Sequence, residues 1–213
     1  MTTTAPYNIL TLGHDCSPAA VLRTVGLREQ ALPFDWVVCS PQALNVCFKE
    51  RFQRYHTGLY YNSNRSRLVD AYGFQFPHDY PHINIADGTP CQFTEVGEGD
   101  IGEERSQCIT PEWPKYYATV KAKYERRIER FLAIVADTKP VIVLCRWPTH
   151  VVKQLKIMFS VYFQKTNVFF VNSSTDPNDD AYPWIHNCYT EANGTWNQNE
   201  IWQSGIDTMA ARI

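Results

Sequence analysis

Two short apolar runs, Val141-Ile142-Val143-Leu144-Cys145 and Asn167-Val168-Phe169-Phe170-Val171-Asn172, are separated by a helical stretch at 149–164 and preceded by a longer one beginning at Tyr116. In the longer stretch Tyr117, Val120, Tyr124, Ile128, Phe131, Leu132 and Val135 recur at helical spacing. Lys121, Lys123, Arg126, Arg127 and Arg130 fall largely on other faces, so the spacing predicts an amphipathic helix. Strands that alternate with helices and are apolar on both faces belong in a parallel sheet covered by helices. The run Asn8-Ile9-Leu10-Thr11-Leu12 supplies a third such strand. A tight turn at Gly13 follows it, then a helix from about Ser17 to Val25, with Pro18 in the first turn and Gly26 just past the end. The expected fold is α/β: a single three-layer domain over residues 1–213 with a mostly parallel, Rossmann-like sheet of at least three strands.

Residues 53–114 interrupt that pattern with prolines, glycines and scattered aromatics, which predict a long irregular insertion of loops and short hairpins. Ahead of it, Leu27 to Val38 is broken by Pro33 and leads into a helix from about Pro41 to Phe52. Within it, the acidic, glycine-punctuated stretch Glu95 to Glu104 reads as a solvated loop. The tail from Asp176, with Trp184, Trp196 and Trp202, is expected to pack over the sheet or at its edge.

A chain of 213 residues suffices for one well-buried core, and a net charge of -2 gives no electrostatic reason to expect nucleic acid or an anionic membrane as a partner. No run approaches the roughly 18 to 20 apolar residues that span a bilayer, and Met1 to Pro6 lacks the basic and apolar regions of a secretory signal. Seven cysteines without a C-x-x-C pair fit reduced thiols better than a disulfide framework, so a cytoplasmic location is expected.

In an open parallel sheet, ligands bind outside the carboxyl ends of the strands. Three loops are expected there: Gly13-His14-Asp15-Cys16, Arg146-Trp147-Pro148-Thr149-His150, and Asn172-Ser173-Ser174-Thr175-Asp176. Cys16 leads as a nucleophile, because the unpaired N–H groups and dipole of a helix start favour a thiolate; as a bland alternative, a free cysteine is a small buried hydrophobe. Arg146 suits a bidentate grip on phosphate or carboxylate, or an ion pair with Asp15 or Asp35. The adjacent His78-Asp79 pair invites a general-base role, although neighbours on an extended backbone point in opposite directions. Pro77 and Pro81 argue against His78, Asp79 and His82 as a metal set. His14, Asp15, Asp35, Trp36, Arg146 and His150 are the candidate substrate contacts, with Trp36, Tyr80 and Trp147 suited to stacking. P-loop and Gly-x-Ser-x-Gly motifs are absent, and no metal or other cofactor is expected.

Leu12-Gly13-His14-Asp15-Cys16, Leu22-Arg23, Gly26-Leu27-Arg28 and Leu32-Pro33-Phe34-Asp35-Trp36, together with Phe76-Pro77-His78-Asp79, Lys123 to Phe131 and the strand ending in Arg146, resemble a family of unknown function labelled putative papain-like cysteine peptidase, over roughly residues 8–150. The resemblance implies a cysteine nucleophile at a helix start, followed by a histidine and then an Asp or Asn that orients it. Cys16, His78 and Asp79 satisfy that order, and His150 with Asn172 is a second solution. Backbone N–H groups near residues 16 and 17 would then hold the oxyanion. The implied activity is a cysteine-dependent hydrolase, peptidase or acyltransferase, acting on a peptide or small-molecule substrate. The alternatives are a glycosyltransferase binding a nucleotide-sugar at the sheet's carboxyl edge and a non-catalytic binding module. Papain itself follows its nucleophile helix with an antiparallel barrel, whereas this sequence points to a parallel sheet.

Overall fold

The computed structural model describes residues 6–91, 106–174, 182–189 and 199–213. In chain order these form β1 (Asn8–Leu12), α1 (Ser17–Thr24), α2 (Pro41–Lys49), β2 (Tyr60–Tyr61), β3 (Leu68–Val69), β4 (Gln75–Phe76), β5 (His82–Asn84) and β6 (Gln107–Ile109). A 3₁₀ turn (Trp113–Tyr116) then leads into α3 (Tyr117–Ala136), β7 (Val141–Cys145), α4 (Thr149–Phe163), β8 (Val168–Ser174), β9 (Ile185–Tyr189) and α5 (Asn199–Ala210). The chain divides into two compact units, one joining Met1–Asp35 to Glu129–Ile213 and the other comprising Trp36–Ile128. No described helix is long and apolar enough to cross a membrane.

The first unit holds the expected α/β architecture. Its sheet runs β1-β7-β8-β9 with every neighbouring pair parallel, Leu12 beside Cys145 and Cys145 beside Asn172. On one face Val21 and Leu22 of α1 and Trp202, Ile206 and Met209 of α5 pack with Ile142, Leu144, Val171 and Cys188. Strand alternation sends Phe170 to the other face, where it meets Phe159 of α4, which in turn meets Phe131 of α3. Helix α4 stops at Gln164, whose φ of 54° is left-handed, a common way to end a helix. Close approach of α5 to the sheet depends on Gly205, where an added Cβ would lie 2.7 Å from Val171 Cγ1 and 2.8 Å from Cys188 Sγ.

The tail supplies more than packing. It adds β9 as an edge strand and covers the sheet with α5. Strand β8 also runs two residues past Asn172, so Asn172, Ser173 and Ser174 belong to the strand rather than to the loop beyond it.

The second unit contains the antiparallel sheet β2-β3-β4 and the antiparallel pair β5-β6, in keeping with the expected short hairpins. Its core is aromatic: Tyr55 touches Phe74, Phe76 and Tyr124. Helix α2 ends at Lys49, short of the expected Phe52, because Arg51 and Phe52 take left-handed φ values of 51° and 63°. The acidic stretch 95–104, Asp176 and Trp196 lie outside the described residues.

Candidate functional site

Helix α1 leaves β1 for the face bearing Ile142 and Leu144, whereas α4 leaves the neighbouring strand β7 for the face bearing Phe170. Loops that diverge to opposite faces from adjacent strands leave a crevice at the carboxyl edge, the usual ligand position in open α/β sheets. Gly13 to Cys16 form one wall of this crevice and Arg146 to Pro148 the other.

Cys16 stands at the N-cap of α1 and is 7% exposed. Its carbonyl accepts the Ala20 N–H at 3.0 Å, while its thiol makes no capping bond. Capping falls to Asp15: Oδ1 accepts the Ser17 N–H at 2.9 Å and the Ser17 hydroxyl at 2.5 Å. The Ser17 N–H expected to serve an oxyanion is therefore already bonded to a carboxylate, and Pro18 has none to offer. The other Asp15 oxygen accepts from Arg146 Nη1 at 2.8 Å, so of the two carboxylates considered for Arg146, Asp15 is the one it pairs with. His14 meets Trp147 edge-on across the crevice, with ring centroids 5.0 Å apart.

The Trp147 backbone is clamped by Asn172, which is fully buried. Asn172 Oδ1 accepts the Trp147 N–H at 2.9 Å, and Nδ2 donates to the Trp147 carbonyl at 2.9 Å and to Asn187 Oδ1 at 3.0 Å. Asn187 Nδ2 in turn donates to Thr149 Oγ1 at 3.3 Å. The buried amide that the sequence offered as an orienter for His150 thus fixes the β7–α4 loop instead, and His150 is exposed. Asn187, part of this clamp, carried no signal in the sequence.

Asp35 is 3% exposed and fully engaged: it accepts from Thr11 Oγ1 at 2.7 Å, from the Leu32 N–H at 2.9 Å, and from Arg28 Nε and Nη2 at 3.2 and 3.1 Å. It ties residues 28–35 to β1 beside a cavity of about 80 Å³ lined by Arg28, Glu29, Gln30 and Ile134. These bonds give Asp35 a structural role.

His78, Asp79 and Trp36 belong to the second unit, and Cys16 to the first. Both Asp79 oxygens are taken, one by Lys123 Nζ at 2.5 Å and the other by the Tyr124 hydroxyl at 2.7 Å. Burial alone would raise its pKa, but the Lys123 and Arg127 charges outweigh burial and hold the carboxyl below its ordinary range. His78 is half-buried, its ring edge-on to Trp36 at 6.2 Å. The same unit buries a histidine that sequence reasoning missed. His56 is fully enclosed, adopts a left-handed φ of 54°, donates its backbone N–H to Asp70 Oδ2 at 2.8 Å and places Nε2 2.7 Å from the Tyr80 hydroxyl. Burial pushes its pKa down to about 3. Tyr80 is thus a buried partner of His56 rather than a stacking platform. Among the described residues, no three His, Cys, Asp or Glu side chains gather as metal ligands.

Residues 7–172 match the family described as "Putative papain-like cysteine peptidase (DUF1796)". The chain belongs to this family. The match runs from the start of β1 into β8 and takes in Cys16, Asp35, His78, Asp79, Arg146 and Asn172. No curated protein and no solved structure matches the chain. The family description supports cysteine-hydrolase chemistry in coarse terms, and nothing in the match supports glycosyl transfer.

Proposed function

We propose that the chain is a cysteine-dependent hydrolase or acyltransferase with Cys16 as its nucleophile. The observation that carries this reading is the position of Cys16 at the start of α1, on the wall of the crevice between β1 and β7. Four of the other six thiols are poorer candidates. Burial pushes the thiols of Cys39, Cys47 and Cys145 far above the ordinary range, and that of Cys188 up to about 12, so they stay protonated at neutral pH.

The Cys16 thiolate attacks the carbonyl carbon of an ester or amide to form a tetrahedral oxyanion. An imidazolium protonates the leaving group as the C–O or C–N bond breaks, and water or a second acceptor then cleaves the thioester. His14, in the same loop, and His150, at the start of α4, are the imidazoles of this edge; His78 is the one implied by chain order. Asp79 bonds Lys123 through one oxygen and the Tyr124 hydroxyl through the other.

Alkylation by iodoacetamide across pH, resolved by peptide mass spectrometry on the folded protein, tests the proposal. Cys16 is expected to react fastest, with an apparent pKa below the roughly 8.5 of a free thiol. His14→Ala, His150→Ala and His78→Ala then identify the relay by which one displaces that pKa. A Cys16 no faster than the half-buried Cys91 overturns the reading.

A further inference from the structure

The crevice wall opposite Cys16 carries more hydrogen-bond donors than the protein uses. Helix α4 has fifteen residues, and its N-cap is Pro148, which has no side-chain acceptor. The N–H groups of Val151 and Val152 both turn back to the Pro148 carbonyl. Those of Thr149 and His150 make no hydrogen bond among the described residues. The Arg146 guanidinium spends only Nη1, on Asp15, and its Nε and Nη2 edge makes no hydrogen bond there either. Independently of the helix end, the Trp147 indole, 8% exposed and set between the two loops against His14, has an Nε1–H with no acceptor. A buried donor without an acceptor carries a desolvation cost, which an acceptor brought to it would relieve.

We propose that Arg146, Trp147 Nε1 and the first turn of α4 form an oxyanion subsite that takes a phosphate or carboxylate group of the substrate. The unused backbone, indole and guanidinium groups are all donors, three of them neutral N–H groups and one a planar cation. That combination suits a tetrahedral or planar oxyanion and not a cation or an apolar group. The helix dipole adds to the attraction. Asn172 holds the Trp147 backbone at both its N–H and its carbonyl, so the donors are set before a ligand arrives. Asp15 is the internal competitor: its carboxylate already neutralises part of the Arg146 charge, and an incoming anion has to share or displace it. The subsite rests on the cysteine-hydrolase reading only for its meaning in catalysis, where it makes the substrate an acyl compound carrying an anionic group; its existence does not depend on Cys16 being reactive.

The test is a titration of the full chain with inorganic phosphate and, separately, with acetate. The readout is the amide resonances of Thr149 and His150 and the Trp147 indole resonance. One or both anions are expected to shift all three saturably, and the tighter one identifies the substrate group. Arg146→Gln should weaken binding at least about tenfold, as befits loss of a charge-assisted contact. Asp15→Asn, which removes the competitor, should tighten it several-fold. Cys16→Ser should bind as the parent does, which separates this proposal from the nucleophile's fate. No saturable shift with either anion overturns the subsite, as does unchanged affinity in Arg146→Gln. Should that variant fail to fold, an affinity that does not rise in Asp15→Asn overturns it equally.

Discussion

Replacing His56 with Asn isolates the proton linkage of one buried imidazole, because Asn tolerates the left-handed φ of 54° and keeps the backbone N–H that Asp70 accepts. With a folded pKa of about 3 against an ordinary 6.5, His56 binds no proton in the folded chain over a range where the unfolded chain binds one. Stability from the neutral ring is therefore complete above about pH 6.5 and is lost as pH falls toward 3, at about 1.4 kcal/mol per unit. Between pH 7.5 and 4.5 the parent loses about 3 kcal/mol by this route. Asp70, whose carboxyl burial pushes up to about 6, acts with the opposite sign. Between its ordinary 3.8 and about 6 the folded chain holds the extra proton, so stability falls as pH rises. That contribution is common to parent and variant and cancels in the difference. At pH 7.5 His56→Asn should be about 2–4 kcal/mol less stable, through lost packing and an unpartnered Tyr80 hydroxyl. At pH 4.5 the gap should close by about 3 kcal/mol. Urea unfolding at the two pH values measures both numbers, and a gap that stays constant to within about 0.5 kcal/mol refutes the linkage.

Gly205→Ala should lower stability by about 1–3 kcal/mol, because its Cβ would overlap Val171 and Cys188, and a thermal melt should fall by about 2–4 °C for each kcal/mol. Asp35→Ala should cost about 3–5 kcal/mol by urea unfolding, since it strands Arg28 and removes the acceptor of Thr11. Asp79→Asn should cost a similar amount at pH 7, about 3–5 kcal/mol. Its deficit should shrink below about pH 4, where the parent begins to lose the stability that a depressed carboxyl provides; acid titrations of both proteins followed by fluorescence check the sign.

Strands β1, β7 and β8 were legible because each is a run of apolar side chains with the central ones buried on both faces. Strand β9 was not. Ile185-His186-Asn187-Cys188-Tyr189 buries only its first and fourth residues, as an edge strand can, and nothing in that run looks like a core strand. Phe52 continued the apolar spacing of α2, so the sequence could not show that the backbone turns left-handed at Arg51. At the carboxyl edge the sequence offered Asp15 and Asp35 alike to Arg146, and the choice of Asp15 comes from β1 and β7 ending side by side at Leu12 and Cys145. Asp79 misled by adjacency. Its true partners lie 44 and 45 residues onward, on a helix that brings Lys123 and Tyr124 to its two oxygens. His56 was invisible for the same reason, since Tyr80 and Asp70 reach it only through the folded chain.

Cysteine hydrolysis does not require the antiparallel barrel of papain. It requires a thiolate near a helix start, N–H donors for the oxyanion and an imidazole within reach. In the first unit the first two requirements are divided between two helices. Helix α1 presents Cys16, but the first donor of that helix is committed to Asp15, whose other oxygen pairs with Arg146. Unused donors sit instead on the first turn of α4, on the other side of the crevice, in a loop that Asn172 holds rigid. An anion at the proposed subsite would compete with Asp15 for Arg146. Folding alone gives Asp15 two roles: it accepts the Ser17 N–H and hydroxyl at the start of α1, a cap typically worth about 1 kcal/mol, and it pairs with Arg146, where side chains 22% and 25% exposed limit the pair to at most about 1 kcal/mol.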